Sequence, residues 1–112
     1  MALGELEQVL LFALVRRAGE AHSVAIAEEI ESRTGRRISA GALYTAFERL
    51  EQKGYVESWL GESTPERGGR RRRCYRLLPA GASELRTAYA SLQRLASGMR
   101  SRLDAMADDG AV

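Results

Sequence analysis

Apolar residues recur every three or four positions through most of the chain, which is the spacing of one face of an α-helix. The first such stretch covers residues 4–18 and stops at Gly19, and the second covers residues 23–34 and stops at Gly35, with Ser23 as a candidate N-cap. Their apolar positions are Leu6, Val9, Leu10, Ala13 and Leu14 in the first stretch and Ile26, Ala27 and Ile30 in the second. Two amphipathic helices that cover a common core are therefore predicted.

A third helix is predicted after a connection of only four residues, 35–38. Ser39 is a favourable N-cap because its hydroxyl oxygen can accept from a free N–H of the first turn, and Ile38 can pack against Leu43. The predicted buried face consists of Leu43, Ala46, Phe47 and Leu50, with Gly54 as the stop. A short connection that contains glycine, placed between two helices, is typical of a helix-turn-helix.

The next segment has the character of β-structure. The runs YVESWLGE (55–62) and RRRRCYRLL (70–78) flank the turn-rich STPERGG and predict two antiparallel strands around a long loop, a candidate wing. Their alternation of apolar and polar residues is imperfect, so the register and the direction of Trp59 stay open.

The last segment begins at Pro79, which suits the first position of a helix, and it contains one breaker, Gly98, before residue 107. Its apolar residues are spaced as a heptad seam: Leu85, Tyr89, Leu92, Ala96, Met99, Leu103 and Met106. One helix of this length would span ~43 Å, longer than the body of so small a domain, so a second copy is expected to cover its distal half. Folding back onto the first helix is the alternative for the proximal half. The predicted fold class is mainly α with a small β-hairpin.

Arginine dominates the charge of the chain. Its 112 residues carry a net charge of only +2, but sixteen of the seventeen basic residues are arginine. Six of them fall within ten positions: Arg67, Arg70, Arg71, Arg72, Arg73 and Arg76. Such a run could simply keep a strand edge soluble. Consecutive arginines repel one another unless a polyanion neutralises them, however, so phosphate contact is the favoured interpretation.

The exposed face of the third helix is the other candidate for contact with nucleic acid. Gly41, Tyr44 and Thr45 are small or polar-tipped residues near its N-terminus, and Arg36 and Arg37 lie just upstream, which suits phosphates and base edges. Tyr44 could instead pack its ring and expose only its hydroxyl. The predicted DNA-binding set is Arg36, Arg37, Ser39, Gly41, Tyr44, Thr45, Arg67, Arg70, Arg71, Arg72 and Arg73.

Catalytic chemistry finds little support in the sequence. His22 and Cys74 are the only residues of their kinds, too few for a metal cluster or a Cys/His dyad, and both are expected to fill structural roles. We predict no catalytic residue, cofactor or metal. One cysteine fits a reducing compartment, and no apolar run approaches the ~20 residues that cross a bilayer, so a cytoplasmic protein without membrane contact is expected.

Four motifs resemble the PadR family of bacterial winged-helix transcriptional regulators: GELEQVLLFAL, AIAEEIE, GALYTAFERLEQKGYV and YRLLPAG. The resemblance implies a homodimer that binds a pseudo-palindromic DNA operator, with repression as the expected function. It also implies a DNA-binding domain over residues 1–78 and one C-terminal dimerisation helix over residues 79–107, as in the short-chain branch. Asp108 and Asp109 follow the last apolar position, so a flexible acidic tail is expected over residues 108–112. The family usually has a threonine cap where this chain has Leu78.

A winged helix that contacts only proteins is the alternative function. An arginine block argues against it, because protein-contact surfaces favour apolar and mixed-charge residues. A small-molecule effector is a further open question. Its site is expected between the C-terminal segment and the first helix, near Tyr89 and Met99, whereas control by abundance alone would need no such site.

Overall fold

The computed structural model describes residues 3–62 and 71–110, which form five helices and three strands. The helices are α1 (Glu5–Arg16), α2 (Ser23–Thr34), α3 (Ala40–Gln52), α4 (Pro79–Ala96) and α5 (Arg100–Gly110), and the strands are β1 (Glu20–His22), β2 (Val56–Leu60) and β3 (Arg73–Leu77). The three predicted N-terminal helices and the two predicted strands are confirmed. None of the helices in the described part of the chain is long and apolar enough to cross a membrane.

The ends of α2 and α3 show how local sequence starts and stops these helices. Ser39 caps α3 as predicted, since its hydroxyl accepts from the backbone N–H of Ala42 at 3.1 Å. The predicted cap of α2 at Ser23 is wrong, because Ser23 is already helical and the extended residue before it, His22, accepts from Ala25 N–H through Nδ1 at 3.1 Å. The predicted stop at Gly35 is confirmed, because its φ of 73° is a left-handed conformation that glycine adopts without strain.

The sheet contains one strand more than the predicted hairpin, in the order β1-β3-β2. β2 and β3 are antiparallel, with Ser58 opposite Tyr75 and Trp59 opposite Cys74. Tyr75 is buried in the core, so Cys74 and its partner Trp59 face away from the core, which answers the question of how Trp59 is directed. The missed strand, β1, is only three residues long and pairs Glu20 with Arg76 on the other edge of β3.

The core lies where α1, α2 and α3 meet the inner face of the sheet. Its fully buried large side chains are Leu10, Leu11, Leu14, Ile26, Phe47, Leu50 and Val56. Phe47 of α3 stacks on Tyr75 of β3, with ring centroids 3.8 Å apart and an angle of 12° between the ring planes. Burial raises the pKa of Tyr75, which keeps the phenol neutral at this junction. This stack joins the third helix to the hairpin.

The predicted uninterrupted C-terminal helix is wrong. The observed helix α4 ends at Ala96, and α5 starts at Arg100. Between them lies Gly98, whose φ of 74° interrupts the helical backbone. Asp108 and Asp109, predicted to lie in a flexible tail, fall within α5. The predicted seam is therefore divided between two helices.

The start of α4 is held firmly against the body of the protein. Pro79 occupies the first turn as predicted. Gly81 is buried and packs so closely against Tyr55 that a Cβ at this position would collide with the carbonyl oxygen of Tyr55. Leu85, the first residue of the predicted seam, is only 4% exposed and packs in the core of its own chain. Leu85 is thus not available to a partner, and the alternative of folding back holds for this end of α4.

A mostly buried ion pair links α1 to the C-terminal end of α3. Lys53 Nζ donates to both carboxylate oxygens of Glu7 at 3.0 and 2.7 Å, and Gly4 N–H donates to Glu7 Oε1 at 2.7 Å. The side chains of Lys53 and Glu7 are 15% and 10% exposed. Burial alone would raise the pKa of Glu7, but the hydrogen bonds from Lys53 and Gly4 outweigh it and hold the pKa below its ordinary value.

We expect Lys53→Met to destabilise the fold by about 2–3 kcal/mol at pH 7, because it leaves the Glu7 carboxylate buried without its cation. Because the pKa of Glu7 is lower in the folded chain than in the unfolded one, the pair stabilises the protein above the unfolded value of about 4.3. That stabilisation is lost as the pH falls through the lowered folded value. Urea unfolding of the wild type and the variant between pH 7 and pH 3 should show the difference shrinking towards acid. A constant difference across that range would contradict this assignment, and Glu7→Gln with Lys53→Met is the control, since it leaves no buried charge.

Candidate nucleic-acid interface

The residues of α3 that were predicted from the sequence to face DNA lie in its first two turns. Gly41, Tyr44 and Thr45 are exposed, and Tyr44 has 51% of its surface accessible. On the opposite side of the same turns, Leu43 and Phe47 are buried in the core. The helix is thus anchored along one face and exposes the other, whose N-terminal end carries the positive end of the helix dipole.

The two arginines before α3 are held by carboxylates, which the sequence did not indicate. Arg36 Nη1 lies 2.8 Å from each carboxylate oxygen of Glu5 in α1, and Arg37 Nε lies 2.9 Å from Glu31 Oε1 in α2. Both pairs are on the surface, where an ion pair contributes about 0–1 kcal/mol, so a phosphate can compete for either guanidinium.

The structure describes three arginines of the predicted DNA-binding block. Arg71 is exposed, Arg72 and Arg73 are half-buried, and all three lie at or just before the start of β3. Arg67 and Arg70, which also belong to the predicted set, lie outside the described residues. The exposed and half-buried members flank the loop between β2 and β3.

Arg76 belongs to the sheet rather than to this basic cluster. Its guanidinium bonds Glu20 at 3.0 Å and Glu57 at 2.5 Å, and it lies 5.0 Å from the ring centroid of Trp59. The hydrogen bond to Glu20, aided by Glu57, raises the pKa of Arg76. Arg76 thus connects all three strands across the outer face of the sheet.

A groove of about 410 Å³ joins α2, α3 and β3. It brings the first turn of α2 at Ser23 and Val24 alongside Tyr44 and Arg73. Three separate elements therefore border one surface: the start of α2, the exposed face of α3 and the start of β3. A smaller cavity of about 220 Å³ lies between α1 and α2 and is lined by Val9, Phe12 and Ile30 among others.

One contact of His22 was missed by sequence reasoning. This residue was expected to fill a structural role, and it does cap α2, but its Nε2 also lies 3.4 Å from Arg72 Nη1. Only the pairing of β1 with β3, which sets His22 opposite Cys74, brings residues 50 positions apart into contact. The sequence carries no local signal for such a contact.

Comparison with known proteins supplies the family. Residues 10–87, more than half of the chain, match the Transcriptional regulator PadR-like family. The chain belongs to this family. The predicted resemblance is confirmed, and the match runs from the second half of α1 to the first half of α4. Among proteins of curated function, none matches the chain significantly.

Solved structures agree with the PadR-like assignment. A PadR family transcriptional regulator from Eggerthella lenta is 28% identical, with 88% of this chain and 86% of that chain covered and a TM-score of 0.63. A transcriptional regulator from Clostridium thermocellum is 26% identical, with 86% and 90% covered and a TM-score of 0.68. A winged-helix DNA-binding protein from STIV is 17% identical, with 88% and 98% covered and a TM-score of 0.70, and it shows the shared fold.

The C-terminal helices of this PadR-like chain expose a large apolar surface. Its large side chains are Tyr89 (48% exposed), Leu92 (60%), Leu95 (81%), Leu103 (63%) and Met106 (73%). Leu95 was not in the predicted seam, because it lies beside the heptad positions rather than on them. In α5, every residue from 100 to 109 is exposed, so this helix packs against little of its own chain. The C-terminal helices are therefore an unpartnered apolar surface in the single chain.

The predicted effector site does not coincide with either cavity described above. Tyr89 contacts Phe12 edge to face, with ring centroids 5.5 Å apart, and neither Tyr89 nor Met99 lines the two cavities. An effector between α1 and the C-terminal helices stays a prediction, as does control by abundance alone.

Proposed function

We propose that this PadR-like regulator is a repressor that binds a pseudo-palindromic DNA operator as a homodimer. The observation that carries the proposal is the exposed N-terminal half of α3, with Tyr44 and Thr45, alongside the arginines that begin β3. An anchored helix of this kind fits the major groove, where each base pair presents a distinct pattern of donors, acceptors and methyl groups. Arginines on a neighbouring hairpin fit phosphates, which supply affinity without base discrimination.

The apolar C-terminal surface supports the homodimer. An isolated helix of about eleven residues is marginal in water, so α5 requires a surface to pack against. The radius of gyration of 16.7 Å exceeds the roughly 13 Å of a compact domain of this size, which agrees with helices that extend from the body. A second copy provides an apolar face of the same kind for both helices.

The two-fold symmetry of the proposed homodimer explains why a pseudo-palindromic operator is expected. Two α3 helices related by a dyad read two inverted half-sites spaced by about one helical turn of DNA or a multiple of it. Repression is the simplest outcome, because occupying an operator that overlaps a promoter excludes polymerase without any further contact.

The roles of the two DNA-facing elements can be separated by mutation. We expect Thr45→Ala to cost roughly 1–3 kcal/mol on the operator, if the hydroxyl or methyl contacts a base edge, and little on random duplex DNA. Arg71→Ala should weaken binding to both DNAs by similar factors. It should also reduce the salt slope by roughly one unit per half-site, because each protomer loses one phosphate contact.

Fluorescence anisotropy with both DNAs over a salt series measures these effects, once selection of bound genomic fragments has supplied the operator. Arg86→Ala, which removes an exposed arginine from α4, is the matched control and should change neither DNA. Loss of operator binding alone in Arg71→Ala, with equal losses on both DNAs in Thr45→Ala, would show that the roles are reversed. Absence of binding to any DNA by the wild type at low salt would favour the alternative, a winged helix for protein contacts.

A further inference from the structure

Arg73, the first residue of β3, lies on the face of the sheet that packs against α3. Side chains alternate between the two faces of a strand, so Arg73 shares a face with Tyr75, which is buried and stacks on Phe47 of α3. Cys74, between them, lies on the outer face. Arg73 is half-buried, whereas Arg71 is exposed. The two arginines therefore lie in different environments, although only one residue separates them.

One side of α3 meets Arg73. The helix carries Tyr44, Glu48 and Glu51 at intervals of four and three residues, which places them on the same side. A hollow of only about 20 Å³ is lined by these three residues together with Ser58, Arg73 and Tyr75. Because the hollow is so small, the side chains around it lie close together. The side of α3 that carries Tyr44 is thus turned towards the hairpin.

Tyr44 and Arg73 adjoin each other along two separate spaces. Together with Tyr75, they line both the small hollow and the groove of about 410 Å³ between α2, α3 and β3. These three side chains therefore separate the two spaces. Tyr44 has 51% of its surface accessible, and Arg73 lies beside it on the side of the hairpin.

The positive charge of Arg73 lies among groups of its own chain. Glu51 is fixed in place, because Ser58 Oγ donates to both of its carboxylate oxygens at 2.9 and 3.0 Å. Glu48 brings a second carboxylate to the hollow. Burial raises the pKa of Tyr75, and the guanidinium of Arg73 opposes that rise while Glu51 adds to it. A cation beside two carboxylates is partly neutralised before DNA arrives, so it gains less from a phosphate.

We propose that Arg73 is a positioning residue for the DNA contact of Tyr44 and is not itself a phosphate contact. This inference rests on the proposed DNA-binding function and gives Arg73 a different task from Arg71. Arg73 holds the Tyr44 side chain in one orientation on α3 and offsets the two carboxylates beside it, which would otherwise repel DNA. The start of β3 thereby affects which base sequence α3 reads, although Arg73 contacts no base.

Arg73→Met removes the charge and keeps an unbranched side chain. We expect it to weaken operator binding by roughly five- to twentyfold, the size of one misplaced base contact, and to change binding to random duplex DNA by less than about twofold. The salt slope should be unchanged for both DNAs, because no phosphate contact is lost. Arg71→Met, the same change at an exposed position, is the matched control and should weaken both DNAs and lower the slope. An Arg73→Met protein that behaves like Arg71→Met would overturn the proposal.

A double-mutant cycle tests whether Arg73 acts through Tyr44. In a Tyr44→Ala background no ring remains to be positioned, so Arg73→Met should weaken operator binding by less than about twofold further. The full five- to twentyfold loss in that background would show that Arg73 acts independently of Tyr44, and the proposal would fail. Arg73→Gln, a second neutral variant with a polar tip, should give the same pattern, so the test does not depend on the folding of one protein.

Aromatic ¹H–¹³C NMR of the full chain without DNA reports on the ring itself. The resonances of Tyr44, identified by their loss in Tyr44→Ala, should shift in Arg73→Met and stay in place in Arg71→Met. Resonances of Tyr44 that stay in place in Arg73→Met would also overturn the proposal. Failure of the wild type to bind either DNA at low salt would instead remove the proposed function, and since the NMR measurement needs no DNA, the two failures are distinguishable.

Discussion

The double substitution Leu92→Asp and Leu103→Asp should convert the proposed homodimer into monomers and weaken operator binding by about 100-fold or more. The two leucines are 60% and 63% exposed on α4 and α5, and a second copy is proposed to cover them. A carboxylate buried without a partner at such an interface is strongly unfavourable. A monomer also loses the gain of linking two reading heads, which is typically 10²–10⁴ in affinity. Sedimentation velocity and anisotropy on the same samples measure both effects.

A matched control separates the loss of apolar contact from the added charge. Thr87→Asp with Ser101→Asp adds the same two charges to the same two helices, at exposed positions about half a turn away from the apolar residues. This control should remain dimeric and bind the operator normally. If the leucine variant still sedimented as a dimer, the interface would have to lie on another apolar surface, such as the cavity of α1 and α2 near Val9 and Phe12.

The elements that sequence reasoning predicted well are those whose signals are local. α3 is the clearest case, because Ser39, the buried residues at helical spacing and Gly54 are all within one segment. The same spacing that identifies the buried side also identifies the exposed side, so Tyr44 and Thr45 could be selected without a structure.

The features that were missed depend on contacts between distant parts of the chain. β1 has three residues and exists only because β3 offers an edge to pair with. The grouping of Arg76 with the basic cluster ignored Glu20 and Glu57, which reach it from the two neighbouring strands. Arg36 looked available for DNA because its partner, Glu5, lies 31 positions away. Charge patterns along a sequence do not reveal such pairs.

The division of the C-terminal segment into two helices had a signal in the sequence, but the heptad pattern was given more weight. Gly98 was recognised as a breaker, but regular apolar spacing on both sides favoured one continuous helix. A glycine with few packing contacts around it can turn to a positive φ at little cost, and here it does. The predicted seam therefore lies on two separate helices rather than on one.

The largest loss of stability is expected from Phe47→Ala, at about 3–5 kcal/mol. Phe47 is fully buried and stacks on Tyr75 at 3.8 Å, so its removal leaves a cavity between α3 and β3. Urea unfolding at a fixed protein concentration is the appropriate measurement, because the stability of the proposed dimer would depend on concentration.

Two milder variants distinguish the stabilising effect of ring stacking from that of side-chain volume. Phe47→Leu retains an apolar side chain of similar bulk and should cost about 1–2 kcal/mol, while Tyr75→Phe retains both rings and should cost less than either change at Phe47. The physical reason is that the stack holds the helix and the hairpin at one fixed separation. Variants that weaken the stack should therefore lose operator affinity even at temperatures where they stay folded. A Phe47→Ala protein that unfolds within about 1 kcal/mol of the wild type would show that the surrounding core collapses into the space, and that α3 and β3 are held together by other contacts.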